Sequence, residues 1–292
     1  MKIAIIGPNL DEPPLLDEAK DIFDEVLYVP IDSVKLEVGE EQKVFYEDVD
    51  LTSFDAILPL PDEENREFMF LCLKILEKYG YIYLPFSSDD FFMIENDALM
   101  KKKLINSGLK VRKSAILASN RTSRMLIENL KFPVIVRTLS GKGVRVTNEE
   151  TLQNVLSLFK AGYIRMLEKP IEAKAVIWCF LVGEEVIASF EETKETTRSI
   201  HVDTETESKL LKIRRVINSD YFVVNFIRKR NDLIVNDIYL KPDFSQFRKA
   251  TGKDVSKILL IHLKNKIESM KLSPITSFIN CFSDSIKKLW KK

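Results

Sequence analysis

Histidine, cysteine and glycine are scarce in this chain, with 2, 3 and 9 of them in 292 residues, and each scarcity removes a class of chemistry. His201 and His262 stand alone, and no Cys/His spacing suggests a zinc centre. There is no Gly-x-Ser-x-Gly elbow, and Lys142 lacks the upstream glycine of a P-loop, so conventional hydrolase and P-loop readings fall away. Cys72, Cys179 and Cys281 are odd in number, widely spaced and set among apolar neighbours, which fits reduced thiols in a cytoplasmic protein better than a disulfide framework. Long apolar runs are missing too. The strongest, residues 68–76, is broken by Lys74 and is too short to span a bilayer, so no stable membrane insertion is expected. Met1-Lys2 passes directly into apolar residues 3–6, which read as a strand and not as a signal peptide. Neither charge sign is in excess, with 44 Lys and Arg against 44 Asp and Glu. No global field then draws the protein to nucleic acid, and any polyanion must be held by a local cluster.

What is present suffices for a sizeable core divided into two or three subdomains. Apolar runs and periodicity predict strands at residues 3–6, 25–29, 55–59 and 81–84 and helices at 15–23 and 64–79. The second helix would carry Phe68, Leu71, Cys72 and Ile75 on its apolar face. That alternation implies a small parallel sheet. A helix over 97–107 is stopped by Gly108, and another over 148–159 is opened by Asn148 or Thr147 with Glu150 beyond it. From residue 173 the pattern turns strand-rich, at 175–182, 185–190, 221–228 and 232–240, with Gly183-Glu184 and Arg230-Asn231 where hairpin turns belong. A mostly antiparallel sheet flanked by helices follows, so the fold class is α/β, becoming α+β in the C-terminal half.

Residues 132–146 hold the most chemistry. A buried-strand pattern ending in Arg137 runs into Ser140-Gly141-Lys142-Gly143 and then into a second strand, Val144-Arg145-Val146. Two strands joined by a glycine-bearing, cationic loop can close over a polyphosphate, because glycine lets backbone N–H groups approach oxygen atoms. The same residues also make an ordinary hairpin turn, and spacing alone does not choose between the two.

The order of these features resembles the ATP-grasp superfamily and, within it, the RimK-like carboxylate–amine ligases, which join glutamate or a similar amino acid to a carboxyl group. The resemblance covers roughly residues 1–265 and lies in the order and spacing of motifs. Residues 1–8 look like the family's first strand, 54–61 like its next strand–helix unit, and 94–114 like its "DK" segment. Residues 132–146 look like the nucleotide lid, 167–171 like the linker strand, and 173–190 like the strand pair that follows. The agreement is strongest at Pro242-Asp243-Phe244 with Ala250-Thr251-Gly252-Lys253-Asp254-Val255. An ATP-grasp fold preceded by a small parallel-sheet pre-ATP-grasp domain is thereby implied. The implied boundaries are 1–93 for that domain, 94–170 for the lid subdomain, 171–273 for the catalytic-sheet subdomain and 274–292 for a helical tail.

The resemblance also implies ATP and Mg2+, a small-molecule carboxylate and an amine as substrates, and an acyl-phosphate intermediate. Assembly with copies of itself stays open. On this alignment Asp237 and Asn225 are the metal residues. Asp237 replaces the family's glutamate, Asn225 stands where an aspartate belongs, and Tyr239 stands where an asparagine belongs. Arg137 replaces the lid lysine, and with Lys142 and Gly143 it would bind phosphates. Glu168 would meet the adenine amino group, Lys169 and Ile171 would offer backbone contacts, and Arg198 would orient substrate for catalysis. Ala98 takes the position of a second lysine, with Lys101, Lys102 and Lys103 one turn on. These departures leave two readings: an active ligase, or a descendant that binds nucleotide or scaffolds a subunit without turnover.

Each position also has a plainer reading. Asp237 could be a solvated strand carboxylate, Arg137 and Lys142 solvated hairpin cations, and Glu168 with Lys169 a surface pair. The tail repeats Ile275, Phe278, Ile279, Phe282, Ile286 and Leu289 at helical spacing before a lysine cluster, which predicts a helix docked on its own domain or on a neighbouring subunit, with attachment to a membrane surface as the sharper alternative.

Overall fold

The computed structural model describes residues 1–8, 13–62, 64–117, 131–138, 143–158, 165–229 and 232–272. Lys142, the Arg230-Asn231 turn and the tail from residue 274 lie outside the described residues. The chain divides into two units, Met1–Ser88 with the segment that starts at Asp254, and Asp89–Lys253.

In the first unit β1 (Lys2–Gly7) enters as a central strand because Ile3, Ala4, Ile5 and Ile6 are all fully buried, leaving no polar face to show to water. After α1 (Pro13–Ile22), β2 (Glu25–Pro30) pairs parallel with one edge of β1. An antiparallel meander follows, β3 (Val34–Val38), β4 (Gln42–Tyr46) and β5 (Val49–Asp50), before β6 (Ala56–Pro59) pairs parallel with the other edge of β1. The parallel sheet is therefore as expected, whereas the meander had no strong apolar alternation to announce it. Residues 81–84 form no strand: Tyr83 makes a single parallel bridge to Ala56, and Pro85, which has no N–H to donate, follows at once. In α2 (Arg66–Leu76) the buried stripe is Met69, Cys72, Leu73 and Leu76 with Ile75, which turns Leu71 outward.

The second unit begins with α3 (Ser88–Glu95) and α4 (Asp97–Asn106). Asn96 caps α4 by accepting from the Leu99 N–H at 3.2 Å, and Gly108 ends it at φ +75°, a conformation that side chains resist. A four-stranded antiparallel sheet comes next: β7 (Ser114–Leu117), β8 (Val134–Thr138), β9 (Val144–Val146) and β10 (Arg165–Glu168), in the order β7-β10-β8-β9. Between β9 and β10 runs α5 (Glu149–Leu158), and Asn148 is its cap, accepting from the Thr151 N–H at 2.8 Å. Strand alternation sends Val134, Val136, Val146 and Leu167 to a core shared with Leu152 and Leu156 of α5. Ile135, Arg137, Arg145, Met166 and Glu168 consequently take the opposite face.

The second sheet of this unit is β11 (Ala175–Val182), β12 (Glu185–Glu192), β13 (Thr197–Ser199), β14 (Tyr221–Lys229) and β15 (Asp232–Tyr239), antiparallel in the order β13-β12-β11-β14-β15. Gly183, at φ +59°, turns β11 into β12. Helix α6 (Thr204–Val216) precedes β14, and Asp203 caps it by accepting from the Thr206 N–H at 2.8 Å. After β15 come α7 (Phe244–Thr251), whose Phe244 and Phe247 pack on Phe180 and Phe190, and α8 (Val255–Leu272), which belongs to the first unit and packs on α1.

Candidate functional site

Sheet register in the second unit aligns the site before any side-chain contact is considered. Phe190 pairs with Trp178, Trp178 with Asn225, and Asn225 with Asp237, so the four form one row across the larger sheet. The register then shifts: Phe226 pairs with Val235, which leaves Asn236 opposite no residue. Such a bulge bends the strand and re-aims its side chains, and here consecutive Asn236 and Asp237 both join one polar cluster. A parallel bridge from Val111 to Val235, with the Val235 N–H donating to Lys110 O at 2.9 Å, ties the segment carrying Arg112 to the same strand.

Three cations and three carboxylates meet there. Arg137 of β8 pairs through Nη2 with Asp97, through Nε with Glu168 at 3.2 Å, and through Nη1 with Asp237 at 3.4 Å. Lys101 pairs with Glu168 and, at 3.1 Å, with Asp97 one turn earlier on α4. Arg112 reaches Glu168 through Nη1 at 3.1 Å and donates through Nη2 to Asn236 Oδ1. Asn236 Nδ2 in turn donates to Asp237 Oδ2 at 2.6 Å, and Asn225 Oδ1 accepts from the Asp237 backbone N–H at 3.0 Å.

Position within the cluster separates the three acids. Burial opposes ionisation of Glu168, but the Lys101 hydrogen bond and the charges of Arg137, Lys101 and Arg112 outweigh it and hold this carboxyl below the usual range. Burial prevails at Asp97 and Asp237, whose carboxyls are pushed up even though Arg137 pulls each down. Tyr239 is pushed up as well, by burial and by the Asp237 charge to which its hydroxyl is bonded. Its ring is held by Trp178, with centroids 6.0 Å apart, and Trp178 also stacks on Phe190 and donates from Nε1 to Glu192 at 3.0 Å.

Where β8 begins and β10 ends lies a cavity of about 890 Å³, within the range of small-molecule sites. Lys169 and Ile171 line it, together with Phe132, Pro133 and Pro170. The structure thus brings together Arg137, Glu168, Asp237 and Asn225, and puts Lys169 and Ile171 on the adjoining wall. Gly143 precedes β9 against Ile135, and an added Cβ would overlap the Ile135 Cγ2 methyl. Arg198 stands apart on the edge strand β13, exposed and paired with Glu191 at 2.6 Å, on a shallow cavity of about 590 Å³. Asp97, Arg112 and Asn236 were missed by sequence reasoning. An Asp97–Lys101 pair at helical spacing was available as a signal, but nothing local marked Arg112 or Asn236.

Two observations bear on what this site can hold. The Nε–H of Arg112 is buried without a hydrogen-bonded acceptor and that of Arg137 has only a misaligned Glu168 oxygen 3.2 Å away, so a phosphate oxygen would satisfy the first outright. Among the described residues no group of three or more His, Cys, Asp or Glu side chains could enclose a metal ion. Asp237 and Asn225, paired in register, present side-chain oxygens of the hard type that magnesium takes beside phosphate and water oxygens.

Comparison with known proteins identifies the family. The RimK-like ATP-grasp domain family matches residues 94–263, more than half of the chain. A "Probable alpha-L-glutamate ligase" of Haemophilus influenzae (strain PittEE) is 24% identical over 233 residues, covering 73% of this chain and 78% of the relative. A "Probable alpha-L-glutamate ligase 1" of Hahella chejuensis (strain KCTC 2396) is 24% identical over 302 residues, covering 94% and 99%. Among solved structures, a RimK-domain ATP-grasp protein from Sphaerobacter thermophilus superposes with a TM-score of 0.72 at 13% identity, covering 90% of this chain and 99% of that one. The D-alanine–D-alanine ligase of Bacillus anthracis complexed with ATP gives 0.69 at 15% identity, covering 92% and 98%. The chain has the ATP-grasp fold and belongs to the RimK-like ATP-grasp family.

Proposed function

We propose that the protein is an ATP- and magnesium-dependent ligase that joins an amine to a carboxylate through an acyl phosphate, with L-glutamate, as in the names of its relatives, supplying the amine. One observation carries the proposal: Arg137 of the smaller sheet faces Asp237 of the larger one, at 3.4 Å, and the segment that follows Glu168 lines a cavity large enough for a small molecule. In this reading Arg137, Lys142 and Gly143 bind phosphates, Glu168, Lys169 and Ile171 contact adenine, Asp237 and Asn225 hold the metal, and Arg198 orients substrate. An oxygen of the substrate carboxylate attacks the terminal phosphorus of ATP and ADP leaves. The amine then attacks the acyl carbon and phosphate leaves.

Electrostatics supports the metal requirement. Asp97, Glu168 and Asp237 balance Lys101, Arg112 and Arg137, so the cluster has no net charge with which to attract a triphosphate. Magnesium, when bound, neutralises charge on the transferring group. Arg137, drawn to phosphate, would exchange a carboxylate partner for a phosphate oxygen. The free, buried thiols of Cys72 and Cys179 support a reducing, cytoplasmic location.

Calorimetry with ATP and magnesium tests the first half of the proposal, and ADP release in the presence of L-glutamate and a panel of carboxylates tests the second. Arg137→Ala is expected to weaken ATP binding at least about tenfold, or about 1.4 kcal/mol. An unchanged dissociation constant would show that the phosphate site lies elsewhere. Tight ATP binding with no ADP release under any substrate pair would favour the second reading, a nucleotide-binding or scaffold protein. Asn225 and Tyr239 at the metal positions speak for that outcome.

A further inference from the structure

The outer cavity has a charge pattern that the ligase reading leaves unused. Lys131, Arg145, Lys169, Lys174, Lys194 and Lys229 line it, against the single acid Glu172. Among the described residues none of these six cations makes an ion pair, in a chain whose acids and bases are equal in number. Gathered around one concavity, these exposed like charges focus a positive potential into it, and only Lys229 feels a nearby carboxylate, that of Asp232 on the facing strand.

Distance separates this potential from the phosphate site. Lys229 lies four residues beyond Asn225 on β14, about 13 Å at the usual strand rise, and Pro133 lies four residues before Arg137 on β8. The adenine ring that the proposed function places at Glu168, Lys169 and Ile171 carries no negative charge for these cations to meet. Their chemistry narrows the ligand. Clustered ammonium groups hold phosphate as point charges, and five of the six cations are lysines. Phe132, Pro133, Pro170 and Ile171 supply an apolar wall for the body of the same ligand.

We infer that this cavity is a second anion site, which holds the phosphate groups of a small phosphorylated molecule apart from Arg137. The inference stands on the cavity and its unpaired cations, and not on ligase turnover. The phosphate could be carried on the sugar of the nucleotide that the proposed function binds or by a separate molecule, and the test separates these sources.

Inorganic tripolyphosphate is titrated into the full-length protein by calorimetry. The same titration is made on Lys174→Ala/Lys194→Ala/Lys229→Ala, on Lys102→Ala/Lys103→Ala as a control on the exposed side of α4, and on Arg137→Ala. Expected is binding that weakens as salt rises from about 0.05 to about 0.3 M. The triple variant should lose at least about tenfold in affinity and the control less than about twofold, with unchanged thermal midpoints showing that every variant is folded. Should the triple variant unfold, Lys174→Ala and Lys194→Ala singly give smaller losses in the same direction. No heat at millimolar tripolyphosphate, equal losses in variant and control, or a loss confined to Arg137→Ala each overturns the inference.

Saturation with ADP then identifies the source. Tripolyphosphate that still binds marks a separate phosphorylated molecule. If ADP excludes it, adenosine 3′-phosphate 5′-diphosphate should bind at least about tenfold more tightly than ADP, an advantage lost in the triple variant. Exclusion by ADP without that advantage also overturns the inference. Failure to bind ADP at all strikes the ligase proposal and leaves the tripolyphosphate result standing.

Discussion

Replacing Glu168 by glutamine removes a single charge, and almost no volume, from the point where Lys101, Arg112 and Arg137 converge. At the 3.1 Å separation of the Arg112 pair, Coulomb attraction with an effective dielectric of about 20 is about 5 kcal/mol before desolvation. Burial of the carboxylate and repulsion from Asp97 and Asp237 offset much of it. One-sided removal of a buried partner, which strands the opposite charges, costs about 3–5 kcal/mol. Because the chain forms two units, the unfolding of Asp89–Lys253 should be followed alone, through Trp178 fluorescence in a Trp290→Phe background. With an m-value of about 2 kcal/mol/M, the urea midpoint of Glu168→Gln should fall by about 1.5–2.5 M at neutral pH. The native pKa of Glu168 is depressed, so its contribution is complete above the ordinary glutamate value and is lost as pH falls through the native value. The difference between wild type and variant should therefore shrink below about pH 4.5. A midpoint that moves by less than about 0.5 M, or a difference independent of pH, would refute the view that Glu168 anchors the cluster.

Asp237→Asn should behave in the opposite way. Its native pKa is raised, so the group stabilises the fold only below its ordinary value and loses that contribution as pH rises through the raised one. At neutral pH the variant should match or exceed wild type in urea while losing magnesium-dependent ATP binding, and a clear destabilisation would show that the Arg137 pair outweighs burial. Asp203→Ala removes the α6 cap and should cost about 1 kcal/mol by Trp178 fluorescence, with Asp203→Asn restoring most of it. The half-exposed Arg228 pair adds little, so failure of asparagine to rescue would shift the weight to that pair. Burial pushes the thiols of Cys72 and Cys179 up to about 12, leaving a thiolate fraction on the order of 10⁻⁴ at pH 8. In a Cys281→Ser variant, a chromogenic disulfide reagent should then label neither before unfolding, and rapid labelling of the native protein would place one of them at the surface.

The parallel sheet of the first unit and the antiparallel strands from residue 175 were legible because their signal is local. A strand buried on both faces must be apolar throughout, and residues 3–6, 175–182 and 221–228 are nearly so. Capping was local too, since Asn148 and Gly108 act on backbone groups only a few residues away. The face of α2 was not, because overlapping apolar stripes offer several faces and the neighbouring elements choose one. The short meander of residues 34–50 escaped for a related reason: its burial comes mainly from Val34 and Val44, too few to make a period.

By itself the sequence determined which residue types could do this chemistry, and its resemblance to the family singled out Arg137, Glu168 and Asp237 as candidates. Only the tertiary structure decided that they touch, that Asp97, Lys101 and Arg112 neutralise them, and that six cations line the neighbouring cavity. Strand and helix preferences are settled within a few residues along the chain, whereas an ion pair spanning a hundred residues depends on sheet register and on one bulge at Asn236.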